Sequence, residues 1–150
     1  MKVVIQKVSS ASVSIANEQH ASIQRGLVVL LGITHADTLE DITWLSKKIV
    51  NLRIFADPAG LMNLSVKDVT GEVLLISQFT LHALTKKGNR PSFIESAPAE
   101  VSMPLYQKMI AALENELGKE IKTGQFGADM QVQLVNDGPV TIIMDSKDKK

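Results

Sequence analysis

Gln131-Val132-Gln133-Leu134-Val135-Asn136-Asp137-Gly138-Pro139-Val140-Thr141-Ile142-Ile143-Met144 is the segment on which the fold turns. Apolar residues of strand-forming type stand on both sides of Asn136-Asp137-Gly138-Pro139, four residues of the kind that reverse a chain. The segment reads as a strand pair, Gln131–Val135 and Val140–Met144, joined by a turn. Strands joined by so short a link run antiparallel, because a parallel return needs a crossover of about a dozen residues or more.

Working outward, the first third of the chain also reads as strands. Val3 and Ile5 alternate with polar neighbours, as do Val13 and Ile15, and Asn17-Glu18-Gln19 is a turn candidate. Gly26 precedes the apolar run Leu27–Ile33, whose length and branching suit a strand buried on both faces. Asp37 is placed to cap a helix, with Glu40 completing a capping box. Leu39, Ile42, Leu45, Ile49 and Leu52 then follow at helical spacing. Asp57-Pro58-Ala59-Gly60 is a turn signal, and Glu72–Leu81 reads as another strand. Thr85–Ser92 is polar and basic, which marks a loop. A second helix is expected from Pro98 or Ser102 to Leu117, with Val101, Leu105, Met109, Leu113 and Leu117 on one face and Gly118 as its stop. Ser146–Lys150 reads as a charged, frayed tail. The order of elements predicts one α+β domain over residues 1–150, with a mainly antiparallel sheet rather than a βαβ wind.

Composition narrows the function classes. Sixteen basic residues balance sixteen acidic ones, so any grip on nucleic acid must come from a local patch. With no cysteine, disulfides and thiolate metal sites are excluded, in keeping with a reducing cytoplasm. The amino terminus lacks the apolar run of a signal peptide, and Leu27–Ile33 is far short of the ~20 residues of a membrane span. A soluble, cytoplasmic protein without membrane contact is expected. His20, His35 and His82 have no metal-ligand spacing and read as surface histidines; no metal and no cofactor is expected. Neither a phosphate-cradling glycine loop nor a Gly-x-Ser-x-Gly elbow is present.

Two segments remain as candidates for chemistry. In a regular strand, Ser77, Phe79 and Leu81 share one face and Gln78 and Thr80 the other; by pattern alone this is a strand with one apolar and one wet face. By pattern alone, Asn136-Asp137-Gly138-Pro139-Val140-Thr141 is a turn.

Taken together, Ser77-Gln78-Phe79-Thr80-Leu81 and Asn136-Asp137-Gly138-Pro139-Val140-Thr141 resemble the paired signature of the D-aminoacyl-tRNA deacylase family. The likeness extends through Leu52-Arg53-Ile54-Phe55, Met62-Asn63-Leu64-Ser65, Thr85–Phe93 and Thr123–Met130. It spans nearly the whole chain, in order. The chain departs from the family's usual pattern at Leu61, His82 and Leu84, and at Lys7, where an arginine that holds the Gly-Pro carbonyls is usual.

The resemblance implies a homodimer without an obligate protein partner, built on an antiparallel sheet rolled into a barrel-like layer with two principal helices outside. It implies hydrolysis of the ester joining a D-amino acid, or glycine, to tRNA. The implied site comprises Ser77, Gln78, Phe79 and Thr80. Gly138-Pro139, in cis and neighboured by Asn136, reaches from one subunit into the other's pocket and repels L side chains. Main-chain N–H groups near Phe79 and Thr80 would stabilise the oxyanion. Thr80 has no base to activate it, so water assisted by the terminal 2′-hydroxyl is the favoured attacking group, with Thr80 as the alternative. Lys86, Lys87 and Arg90 are expected to touch the tRNA acceptor end. The competing readings are a non-catalytic nucleic-acid-binding module and a synthetase-associated editing domain.

Overall fold

A computed structural model of the protein describes residues 1–149. Eight strands and two α-helices follow in the order β1 (Lys2–Ile15), β2 (Glu18–Ile23), β3 (Gly26–Gly32), α1 (Leu39–Asn51), β4 (Phe55–Ala56), β5 (Met62–Leu64), β6 (Glu72–Ser77), α2 (Ala99–Leu117), β7 (Lys122–Thr123) and β8 (Gln131–Asp145). The main sheet runs β2-β1-β3-β6-β7, with β8 on β1, and curls into a barrel-like layer in an α+β fold. The pairs made by β1 with β2, β3 and β8 are antiparallel. By contrast, β3–β6 and β6–β7 are parallel, so the chain does make two crossovers, through α1 and through α2. The expectation of no βαβ winding is corrected there.

As expected from its apolar run, β3 is buried on both faces. Leu27, Val29 and Leu31 pack with the helices, while Val28 packs with Val13, Ile23, Leu74 and Ile76 in a second cluster. Gly26 lets β3 and β6 approach: a Cβ there would lie 1.9 Å from Glu72 O.

Helix α1 begins one residue later than the pattern suggested. Thr38 is the cap, accepting from Glu40 N at 3.3 Å, and Asp41 closes the box by accepting from Thr38 N at 2.7 Å. Asp37 is free for another task. Its carboxylate accepts from Thr34 N and pairs with the buried Met1 amino group, which also donates to Ser146 Oγ. Ser146 is buried and Lys147 pairs with Asp41 at 2.8 Å, so residues 146–149 are tied down rather than frayed; Lys150 lies outside the described residues.

Helix α2 ends as predicted, with Gly118 left-handed at φ 80° and its N–H on Glu114 O. Met109, Leu113 and Leu117 are buried, but the first half turns Ser102 and Tyr106 inward and leaves Val101 exposed. Likewise Leu39 of the α1 stripe is exposed. Among the described residues, no helix is long and apolar enough to cross a membrane.

Candidate active site

The strand expected over Glu72–Leu81 stops at Ser77. Leu31 pairs with Ser77, and Gln78 N still donates to Leu31 O at 2.7 Å, but the backbone then turns into a short 3-10 helix, Phe79–His82. The first of its hydrogen bonds runs from Leu81 N to Gln78 O, so the N–H groups of Phe79 and Thr80 precede any intrahelical acceptor. The turn cancels the strand alternation. Phe79 stands 56% exposed, whereas His82, expected at the surface, is buried with Nε2 unpartnered. His20 and His35 are exposed as expected. Gln78 Nε2 donates to Thr80 Oγ1 at 2.6 Å, binding the two polar side chains to each other.

Ser77, Gln78 and Phe79 form part of the wall of a cavity of about 270 Å³. Leu31, Ile33, Ile76 and Ala97 contribute further wall, as do Phe126, Gly127, Ala128, Met130 and Val132; Ser102 is the remaining polar member. The lining contains no ionisable side chain, and Thr80 is not part of it. Among the described residues no three His, Asp or Glu side chains gather as metal ligands. The wall is stiffened from behind. Tyr106 packs its ring 5.6 Å from Phe126 and donates its hydroxyl to Leu75 O at 3.0 Å. Burial pushes that hydroxyl up to about 12, so it stays a neutral donor. Gly124 leaves room for Met130, whose Sδ would be 2.5 Å from a Cβ there.

The second signature is not a hairpin. Strand β8 runs unbroken from Gln131 to Asp145, and both of its halves pair with β1. Gln6 faces Thr141 and Val8 faces Asn136, so Lys7 alone stands opposite residues 137–140, which bulge out of the ladder. The turn-forming residues are accommodated as a bulge because the strand on either side keeps its partner. Asn136 clasps its base: Nδ2 donates to Thr141 Oγ1 at 3.0 Å and Oδ1 accepts from Val140 N at 2.8 Å. Lys7 projects from the core face of β1, 9% exposed, and its ammonium meets Asp137 Oδ2 at 3.3 Å. Gly138 has φ 139°, and the Gly138-Pro139 bond is cis. Both residues are exposed, and neither lines the cavity. Within one chain, Gly138-Pro139 is therefore not part of the cavity that Ser77, Gln78 and Phe79 wall.

Lys86, Lys87 and Arg90 are exposed on a loop closed at its base by the bridge between Leu84 and Ser92. Directly after it, Phe93 meets Phe79 edge to face, centroids 5.1 Å apart, and Ser96 Oγ donates to Phe79 O at 2.9 Å. Sequence reasoning did not single out Phe93, Ser96, Ala97 or the individual wall residues of 126–130. They lie in irregular segments without periodicity, and the signal for Phe93 and for residues 126–130 was the family likeness of Thr85–Phe93 and Thr123–Met130, which assigned no role to single residues.

A model of the family described as D-Tyr-tRNA(Tyr) deacylase matches residues 4–145. The chain is 61% identical over 150 residues to a D-aminoacyl-tRNA deacylase of Flavobacterium psychrophilum and 62% identical to one of Cytophaga hutchinsonii, covering 100% of both partners in each case. Among solved structures it resembles the c-Myc DNA unwinding element binding protein, with a TM-score of 0.90, 43% identity, and coverage of 97% of this chain and 98% of that one. A structure described as a "probable eukaryotic D-amino acid tRNA deacylase" shares the fold at a TM-score of 0.82, with 16% identity over 95% of this chain and 97% of that one. Matched by the family model over nearly all its length and by full-length relatives above half identity, the chain belongs to the D-Tyr-tRNA(Tyr) deacylase family.

Proposed function

We propose that this chain hydrolyses the ester between a D-amino acid, or glycine, and the 3′-terminal adenosine of tRNA. Water adds to the ester carbonyl, the bond to the ribose oxygen breaks, and free amino acid and tRNA leave. The observation that carries the reading is a cavity walled by Ser77, Gln78 and Phe79 that offers no ionisable side chain. A site without a general base suits a reaction in which the substrate's own 2′-hydroxyl assists the attacking water. The amides of Phe79 and Thr80, preceding any intrahelical acceptor, are donors for the oxyanion. Thr80 Oγ1 is held by Gln78, which suits a positioning role better than attack.

Chirality is read by exclusion. Gly138-Pro139 stands exposed on its bulge and does not line its own chain's cavity, so a second copy is the natural source of the pair that closes the pocket. Main-chain carbonyls presented there obstruct an L side chain and leave room for a D side chain or for hydrogen. Lys86, Lys87 and Arg90 supply the local positive charge for the acceptor end that the neutral overall balance withholds. The test is deacylation of D-tyrosyl-, glycyl- and L-tyrosyl-tRNA by purified protein. The first two should be cleaved and the third spared; equal inertness toward all three would remove the reading in favour of a binding module.

A further inference from the structure

Three exposed apolar side chains lie beside the cavity, Phe79 at 56% and Phe93 at 36% exposure in mutual contact and Ile94, at 77%, next to Phe93 in sequence. Phe79 itself lines the cavity, so the patch is continuous with the cavity wall. The rings meet at 75°, an arrangement that uses one ring's face and leaves other aromatic surface uncovered. The patch is also fixed in place. Ser96 N donates to Phe93 O at 3.0 Å, Ser96 Oγ to Phe79 O at 2.9 Å, and Ala97 N to Ile33 O at 2.9 Å, tying the segment to the end of β3.

Its charge setting is equally specific. The loop with Lys86, Lys87 and Arg90 ends at the Leu84–Ser92 bridge, one residue before Phe93, and none of the three cations has an ion-pair partner among the described residues. Glu95 is the one acidic residue of the segment. Rigid exposed aromatics flanked by uncommitted cations match single-stranded nucleic acid, whose bases stack while its phosphates seek positive charge.

We propose that Phe93, with Phe79 and Ile94, forms a stacking platform for the unpaired nucleotides that precede the esterified adenosine, their phosphates facing Lys86, Lys87 and Arg90. This rests on the deacylation reading and extends it: the cavity takes the terminal aminoacyl nucleotide, and the platform takes its 5′ neighbours. Stacking is indifferent to base identity, so the platform serves every tRNA alike.

The experiment compares D-tyrosyl-adenosine with a D-tyrosyl-CCA trinucleotide, taking the ratio of their kcat/KM values for the wild type, Phe93→Leu and Phe93→Trp. In the wild type the trinucleotide should be favoured. Phe93→Leu should lower that preference roughly tenfold, mostly through KM, whereas Phe93→Trp should keep it, as expected when an aromatic face carries the stacked base. An equal loss on both substrates, or a preference untouched in Phe93→Leu, overturns the proposal. So does a change of oligomeric state in sedimentation that accounts for the loss, which would assign the patch to contact between copies. Trinucleotide binding without hydrolysis is the separate signature of failure of the deacylation reading, and a 5′-CCA competitor measures it directly.

Discussion

Thr80 Oγ1 accepts a 2.6 Å hydrogen bond from Gln78, and no imidazole, amine or carboxylate lines the neighbouring cavity to take its proton. Replacing it with valine, which keeps the shape, should therefore leave deacylation within about tenfold of wild type. A fall approaching the roughly millionfold that follows removal of a hydrolase's nucleophile would make Thr80 the attacking group. Asp41 is a buried carboxyl whose charge ties stability to pH. Burial would raise its pKa, but hydrogen bonds from Lys147, Ser146 and the Thr38 amide, with the charge of Lys147, outweigh burial and hold the carboxyl far below its usual value. A carboxyl depressed on folding stabilises the protein above its unfolded pKa, and the contribution fades as pH falls toward the folded one. Because Lys147 is 44% exposed, the pair is discounted for solvent, and Asp41→Asn should cost about 1 kcal/mol at neutral pH. Urea melts should show that deficit shrinking below about pH 4, where the carboxyl of the unfolded chain begins to take its proton.

The elements differ in how far local sequence determines them. The burial of β3 and the end of α2 were legible because a continuous apolar run and a glycine after a periodic stripe have one economical solution each. Phe79-Thr80-Leu81, by contrast, has the propensity of a strand, and only the loss of a neighbour beyond Leu31 and Ser77 lets it wind into a 3-10 turn. Asn136-Asp137-Gly138-Pro139 has the chemistry of a reversal, yet β1 is long enough to pair with both flanks and turns the reversal into a bulge. Both candidate segments were thus found through the family resemblance, while their shapes depended on tertiary partners that propensity does not see. The parallel pairing of β3 with β6 hangs on close approach at Gly26. Gly26→Ala would drive a Cβ into the Glu72 backbone, which cannot withdraw without breaking the ladder. A loss of about 3 kcal/mol or more, read from chemical denaturation, is expected; a variant as stable as wild type would mean that the two strands can separate at no cost.

For the whole molecule, the proposed division of one pocket between two copies makes a mixing experiment decisive. Gln78→Ala should disable a cavity, and Gly138→Ala should disable a bulge, since its Cβ would stand 2.8 Å from Val140 Cγ2 at φ 139°. Each homodimer should be nearly inactive. Unfolded and refolded together, they should regain activity, because half of the sites in a mixed dimer combine an intact cavity with an intact bulge. No recovery, with mixed dimers demonstrated by mass, would place both signatures' work within a single chain. The bulge has one more consequence. Strand β8 has β1 on one side and no strand partner on the other among the described residues, and a flat edge of fifteen residues invites further strands to add. Residues 137–140 leave the ladder with β1 and make the middle of β8 irregular, which disfavours the addition of further strands, so the same irregularity that displays Gly138-Pro139 also works against growth of the sheet into aggregates.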